Sequence, residues 1–161
     1  MEQIALFKPP YKYIIDTSAI LNQKYTEYHN RNVYKSLWER IDNLIEKQII
    51  VTCSEIFDEV QDKPIRKWLY QHNCKVLEID NEVQRNVIKI VTDNPKMIKF
   101  SGNKGTSSGD AFLVATAMKY ELIIITEEKI NADNKIPQIC KKYGIESVNI
   151  NGLCERENWI F

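Results

Sequence analysis

Four acidic positions each close or open a segment that would deliver them to one place. Asp16 ends the apolar run Tyr13, Ile14, Ile15 and is followed by Thr17 and Ser18. Glu59 lies in Ser54-Glu55-Ile56-Phe57-Asp58-Glu59-Val60. Helical spacing puts it on the face of Glu55, beside Ile56 and Val60, and leaves Asp58 to solvent. Asp110 follows Ser108-Gly109 at the head of an apolar stretch, and Thr126-Glu127-Glu128 follows a run of isoleucines. Side-chain direction alone does not choose between Glu127 and Glu128. Each acid also has an ordinary structural reading. Asp16 suits a helix N-cap, Glu55 a capping box with Thr52, and Asp110 a helix N-terminus, where a negative charge gains about 0.3–1 kcal/mol. Convergence of four acids from separate elements is harder to explain structurally. Two carboxylates about 4 Å apart repel by about 4 kcal/mol at an effective dielectric of about 20, so such a cluster stays ionised only beside a cation. Mg²⁺ or Mn²⁺ accepts these oxygen ligands.

The elements that must position these acids alternate along the chain. Residues 11–16 read as a short buried strand ending at Asp16. Over 30–48, Val33, Tyr34, Leu37, Trp38, Ile41, Leu44 and Ile45 form a helical stripe. Residues 49–51 are a β-branched run, and Thr52 opens the next helix with Glu55 as its capping-box partner. Pro64 begins a helix to about residue 70. Residues 75–79 alternate as a strand, and 81–91 carry Val83, Val87, Ile88 and Val91 at helical spacing. Residues 94–107, with Pro95, Gly102 and Gly105, read as a long loop of the kind that borders active sites. A helix over 108–120 is apolar nearly all round, which predicts deep burial. Residues 122–126 read as a buried strand. Residues 135–143 form a helix stopped by Gly144, and 146–150 a last strand before a short closing helix. This alternation predicts a parallel α/β sheet with ligands bound outside the carboxyl ends of its strands.

The 161 residues fit one domain, 1–161, with 43% hydrophobic and 27% charged residues. Twenty-two basic and 22 acidic side chains cancel, which excludes nucleic-acid binding through a bulk positive field. Local contacts remain, and Lys96, Lys99 and Lys104 in the loop before Asp110 are the candidates for nucleic-acid phosphates. Cys53, Cys74, Cys140 and Cys154 form no CxxC pair, so reduced and mostly buried thiols are expected, and His29 and His72 lack ligand-spaced partners. Tyr25, Tyr28 and Trp159 suit base stacking, although packing is the better expectation for aromatic residues of unknown position. No apolar run is long enough to span a membrane and no signal-peptide core is evident at residues 1–10, so a cytoplasmic protein is expected.

In order and spacing, Ile15-Asp16-Thr17-Ser18, Glu59-Val60, Ser108-Gly109-Asp110-Ala111-Phe112-Leu113-Val114-Ala115-Thr116-Ala117 and Ile124-Ile125-Thr126-Glu127-Glu128 resemble a PIN domain over nearly the whole chain. Phe100-Ser101-Gly102, Lys135-Ile136-Pro137-Gln138-Ile139-Cys140 and Tyr143-Gly144-Ile145 look like a PIN-like subgroup known only as a domain of unknown function. The resemblance implies a three-layer α/β/α sandwich with a central parallel sheet and a Mg²⁺- or Mn²⁺-dependent endoribonuclease. By position, Asp16, Glu59 and Asp110 match the first three acids. Glu128 matches the fourth, where the family commonly has Asp. These four would hold the metal and activate the attacking water, with Thr17, Ser18 and Thr126 orienting them. Many PIN-like proteins are toxins of toxin–antitoxin pairs, which implies an antitoxin-like protein partner. A homodimer is left open. A second reading, a catalytically inert PIN-like module that binds RNA or a protein, is kept open by Glu128 and by the zero net charge. A phosphotransfer receiver built on Asp16 would leave Asp110 and Glu128 unexplained.

Overall fold

A computed structural model describes residues 8–97, 100–101, 104–105, 109–130 and 135–161. The chain alternates short strands and helices. β1 (Tyr13–Ile15) leads through α1 (Thr17–Leu21) and α2 (Lys35–Glu46) to β2 (Ile50–Cys53). Next come α3 (Ser54–Glu59), α4 (Lys63–Gln71), β3 (Val76–Leu77) and α5 (Asn81–Asp93). After a 3₁₀ turn at Pro95–Met97, β4 (Phe100–Ser101) and β5 (Lys104–Gly105) pair as an antiparallel ribbon. α6 (Gly109–Tyr120), β6 (Ile123–Ile125), α7 (Ile136–Lys142), β7 (Ser147–Val148) and α8 (Ile150–Arg156) complete the chain.

The sheet is parallel throughout, in the order β3-β2-β1-β6-β7. Tyr13, Ile14 and Ile15 of the central strand have no exposed surface. A strand buried on both faces requires helices on both sides, hence the three-layer α/β/α architecture. From β1 the chain moves outward through β2 and β3, then returns to the other flank of β1 as β6 and β7. The order therefore reverses between β1 and β6. At such a switch point the loops leave in opposite directions and open a crevice beyond the carboxyl ends of the strands.

α6 matches the expectation of an all-round apolar helix, with Ala111, Leu113, Val114, Ala115, Thr116 and Ala117 all buried. Gly144 stands at φ 68° just past α7, in the left-handed region that glycine adopts without steric cost. The four cysteines are free thiols, Cys53 and Cys140 buried and Cys74 and Cys154 half-buried.

Several local expectations are corrected. Thr52 does not begin a helix. It remains in β2, paired with Val76, and its hydroxyl donates to the Ile15 carbonyl at 3.3 Å. α3 begins at Ser54 with Cys53 at its cap and no side-chain cap bond. The capping box fails because strand pairing continues through Cys53 and holds Thr52 extended. The second helix starts at Lys35 rather than at residue 30, since Asn30 turns the preceding chain by accepting from the amides of Val33 and Tyr34. Val33 and Tyr34 are accordingly 70% and 43% exposed, outside the buried stripe. In α5 the buried positions are Val83 and Ile90, while Ile88 faces solvent. Among the described residues no helix is long and apolar enough to cross a membrane.

Candidate metal centre at the sheet edge

Asp16 leaves β1 at the switch point, its amide donating to the Ile125 carbonyl of β6 at 2.9 Å. Its carboxylate is buried, 3% exposed, and heavily hydrogen-bonded. Oδ1 accepts from the Thr17 amide at 2.8 Å, which makes Asp16 the N-cap of α1. Oδ2 accepts from the hydroxyls of Ser18 at 2.7 Å and Thr126 at 2.9 Å. The capping reading and the cluster reading therefore hold together. One oxygen serves the helix and the other faces two hydroxyls.

The neighbouring strands deliver the other acids. β2 runs into α3, and Glu59 at its last position accepts from the Thr17 hydroxyl through Oε2 at 2.9 Å. Among the described residues, the buried Glu59 Oε1 has no hydrogen-bond partner. Asp58, one residue earlier, is exposed. Asp110 occupies the first turn of α6.

Beyond β6, the two glutamates that the sequence left undistinguished separate. Glu127 Oε1 accepts from the Ile150 amide at 2.9 Å and so ties down the start of α8. Glu128 Oε1 accepts from the Ile136 amide at 2.9 Å at the start of α7, and its charge raises the proton affinity of Asp16, Glu59 and Asp110. Glu128 is thus the one whose charge acts on the other acids.

The electrostatics describe a shared field. Asp110 is pushed up to about 8, first by burial and then by the charges of Glu128, Asp16 and Glu59, with Lys135 opposing. Burial also raises Asp16 and Glu59, against the hydrogen bonds of Ser18 and Thr126 to the first and of Thr17 to the second. Among the described residues no group of three or more His, Cys, Asp or Glu side chains is already gathered closely enough to hold a metal ion. The donor set nonetheless fits a hard divalent cation. It consists of carboxylates, they repel one another, and Glu59 Oε1 is a buried acceptor with no donor among the described residues.

Thr17, Ser18 and Thr126 each donate a hydroxyl hydrogen bond to one of these carboxylates. Lys96 is exposed in the 3₁₀ turn, whereas Lys99 and the side chain of Lys104 lie outside the described residues. Tyr25 and Tyr28 are 80% and 87% exposed rather than packed, while Trp159 packs partly buried against the core. Lys135, at the cap of α7, is the residue that sequence reasoning missed. Its one signal was its position directly before Ile136-Pro137, where proline marks a helix start.

A five-stranded parallel sheet in the order β3-β2-β1-β6-β7, covered by helices on both faces, is a PIN-like fold. Residues 13–161 match the model of the family described as "Domain of unknown function (DUF4411)", and the chain belongs to that family. No curated protein matches it. Solved structures share the fold at low identity. The DNA-bound VapBC from Salmonella typhimurium superposes with a TM-score of 0.55 at 15% identity, over 87% of this chain and 98% of that one. PAE2754 from Pyrobaculum aerophilum gives 0.54 at 14%, over 92% and 96%. VapBC2 from Rickettsia felis, bound to a DNA fragment from its promoter, gives 0.53 at 12%, over 85% and 97%.

Proposed function

We propose that the chain is a Mg²⁺- or Mn²⁺-dependent endoribonuclease, the toxin of a toxin–antitoxin pair, held in check by an antitoxin-like protein. The observation that carries this reading is the field around Asp110, whose carboxyl is pushed up to about 8 by burial and by Glu128, Asp16 and Glu59. Such a group is poorly suited to a purely structural role and well suited to a site completed by a cation. The shared fold with VapBC complexes supports a protein partner.

Asp16, Glu59 and Asp110 would hold the cation, with Glu128 at the edge of the same site. When bound, a divalent cation neutralises these charges, polarises a phosphoryl oxygen and lowers the pKa of water. The chain's own residues do the positioning. Thr17 bridges two acids, giving its amide to Asp16 and its hydroxyl to Glu59. Ser18 and Thr126 aim Asp16 Oδ2, and the Ser18 hydroxyl also accepts from the Glu127 amide at 3.0 Å, so β1 and β6 keep a fixed separation. Glu128 is held through Oε1 by the Ile136 amide. That anchoring is also the observation that favours the second reading, an inert module binding RNA or protein, because a carboxylate already engaged by an amide is a weaker ligand.

Labelled single-stranded RNA, incubated with wild type or Asp110→Asn in Mn²⁺, Mg²⁺ or a chelator, separates the two. The nuclease reading expects metal-dependent cutting that is lost in the folded variant. Binding of RNA without cutting in any metal supports the inert module.

A further inference from the structure

Next to the acids, the carboxyl edge of the sheet opens into a cleft of about 440 Å³ between β6, β7, α7 and α8. That volume falls in the range of roughly 300–1,000 Å³ usual for small-ligand sites. The cleft shares Thr126 and Glu128 with the acidic site. Ile130 and Pro137 give it apolar surface, and Ser147 and Asn149 add a hydroxyl and a side-chain amide.

The walls are already in place. The Thr126 amide donates to the Val148 carbonyl at 2.9 Å, and Glu127 and Glu128 anchor the first amides of α8 and α7. Asn149 is itself fixed, its Oδ1 accepting from the Gly152 amide at 2.8 Å. A rigid recess with apolar sides and a few hydrogen-bonding groups suits the flat face and polar edge of a base splayed from a single strand. A phosphate would demand more positive charge than the exposed Lys129, the one cation among the described residues lining the cleft, provides.

We propose that this cleft receives one nucleobase of the RNA, adjacent to the bond that is cut, and sets the base preference of cleavage. The proposal rests on the ribonuclease reading and deepens it.

A randomised single-stranded RNA pool, cut by the full chain in Mn²⁺ and sequenced at the product ends, provides the test. Base ratios at each position flanking the cut are internal to one reaction and independent of overall rate. Wild type is expected to favour one base by about tenfold at one flanking position. Ser147→Trp, which fills the cleft, and Ile130→Ala, which removes one wall at a 58% exposed position, are each expected to flatten that preference. A thermal melt reports whether each variant is folded, and Ile130→Ala keeps the test intact if the tryptophan is not tolerated. Cutting without preference by wild type, or a preference unchanged in a folded variant, overturns the base subsite and leaves the nuclease reading standing. Absence of metal-dependent cutting by wild type overturns both.

Discussion

Replacing Asp110 by asparagine should stabilise the metal-free protein at pH 8. Asp110 moves from an ordinary 3.8 to about 8 in the folded chain. Between those values the folded state holds a proton that the unfolded chain has released. Stability from this group is therefore fully present below pH 3.8 and is lost as pH rises toward and through 8. At about 1.36 kcal/mol per pKa unit the full shift corresponds to about 6 kcal/mol as an upper bound. The repulsion is shared among four carboxylates, and part of the site reaches water, so the relief from one substitution should be about 1–3 kcal/mol. For a chain of this size that is a rise of roughly 2–10 °C in Tm. The assay is a melt in chelator at pH 5 and pH 8. Asp110→Asn should melt clearly above wild type at pH 8 and much closer to it at pH 5. Saturating Mn²⁺ should reverse the order at pH 8 by stabilising wild type alone. A variant that melts below wild type by the same margin at both pH values would refute the argument, because the carboxylate would then be acting as an ordinary structural group.

Other expectations come from the hydrogen-bond geometry. Thr17→Ala or Thr126→Val should leave the chain folded and weaken Mn²⁺ affinity by about 10- to 100-fold, read from the metal dependence of cleavage. Lys135→Ala removes the cation that opposes the rise of Asp110, so the ascending limb of the pH–rate profile should move to higher pH, measured under saturating RNA. Asp42 is 8% exposed and accepts from both terminal nitrogens of Arg31, at 2.8 and 2.9 Å, and from Trp68 Nε1 at 2.7 Å. Asp42→Ala leaves the indole without its acceptor and the guanidinium with Gln23 Oε1 alone, at 2.9 and 3.1 Å. It should cost about 3–5 kcal/mol in a denaturant titration, without changing the metal concentration at half-maximal cleavage in protein that remains folded.

What the sequence conveyed depended on the range of the interaction involved. Asp16 and Thr126 were readable because each ends a β-branched run, and the end of a parallel strand is a position that periodicity locates. The burial of α6 was readable for the same reason, since an all-round apolar helix has nowhere else to go. Helix ends were less legible. Gln48, Asn73, Glu121 and Asn158 all adopt positive φ just past helices, and only the asparagines among them advertise that conformation. The capping box at Thr52 and Glu55 had the right spacing, but pairing of Thr52 and Cys53 with β3 outweighed it. The choice between Glu127 and Glu128 could not be made from the chain, because it depends on which helix amide each reaches, Ile150 or Ile136, and those contacts are long-range. Lys135 escaped notice for the same reason. Its relation to Asp110 exists only once α7 is seated against the site.

The most direct test of the central claim is the rate of single-stranded RNA cleavage as Mn²⁺ is titrated into chelator-stripped wild type, Glu59→Gln and Asp110→Asn. The account expects no cutting without metal and a saturable rise with Mn²⁺ in wild type. In folded variants it expects a loss of about a hundredfold or more, in line with removal of one electrostatic catalytic group. Cutting that is indifferent to metal, or equal in all three proteins, would contradict the assignment of these acids as a cation-dependent nuclease site.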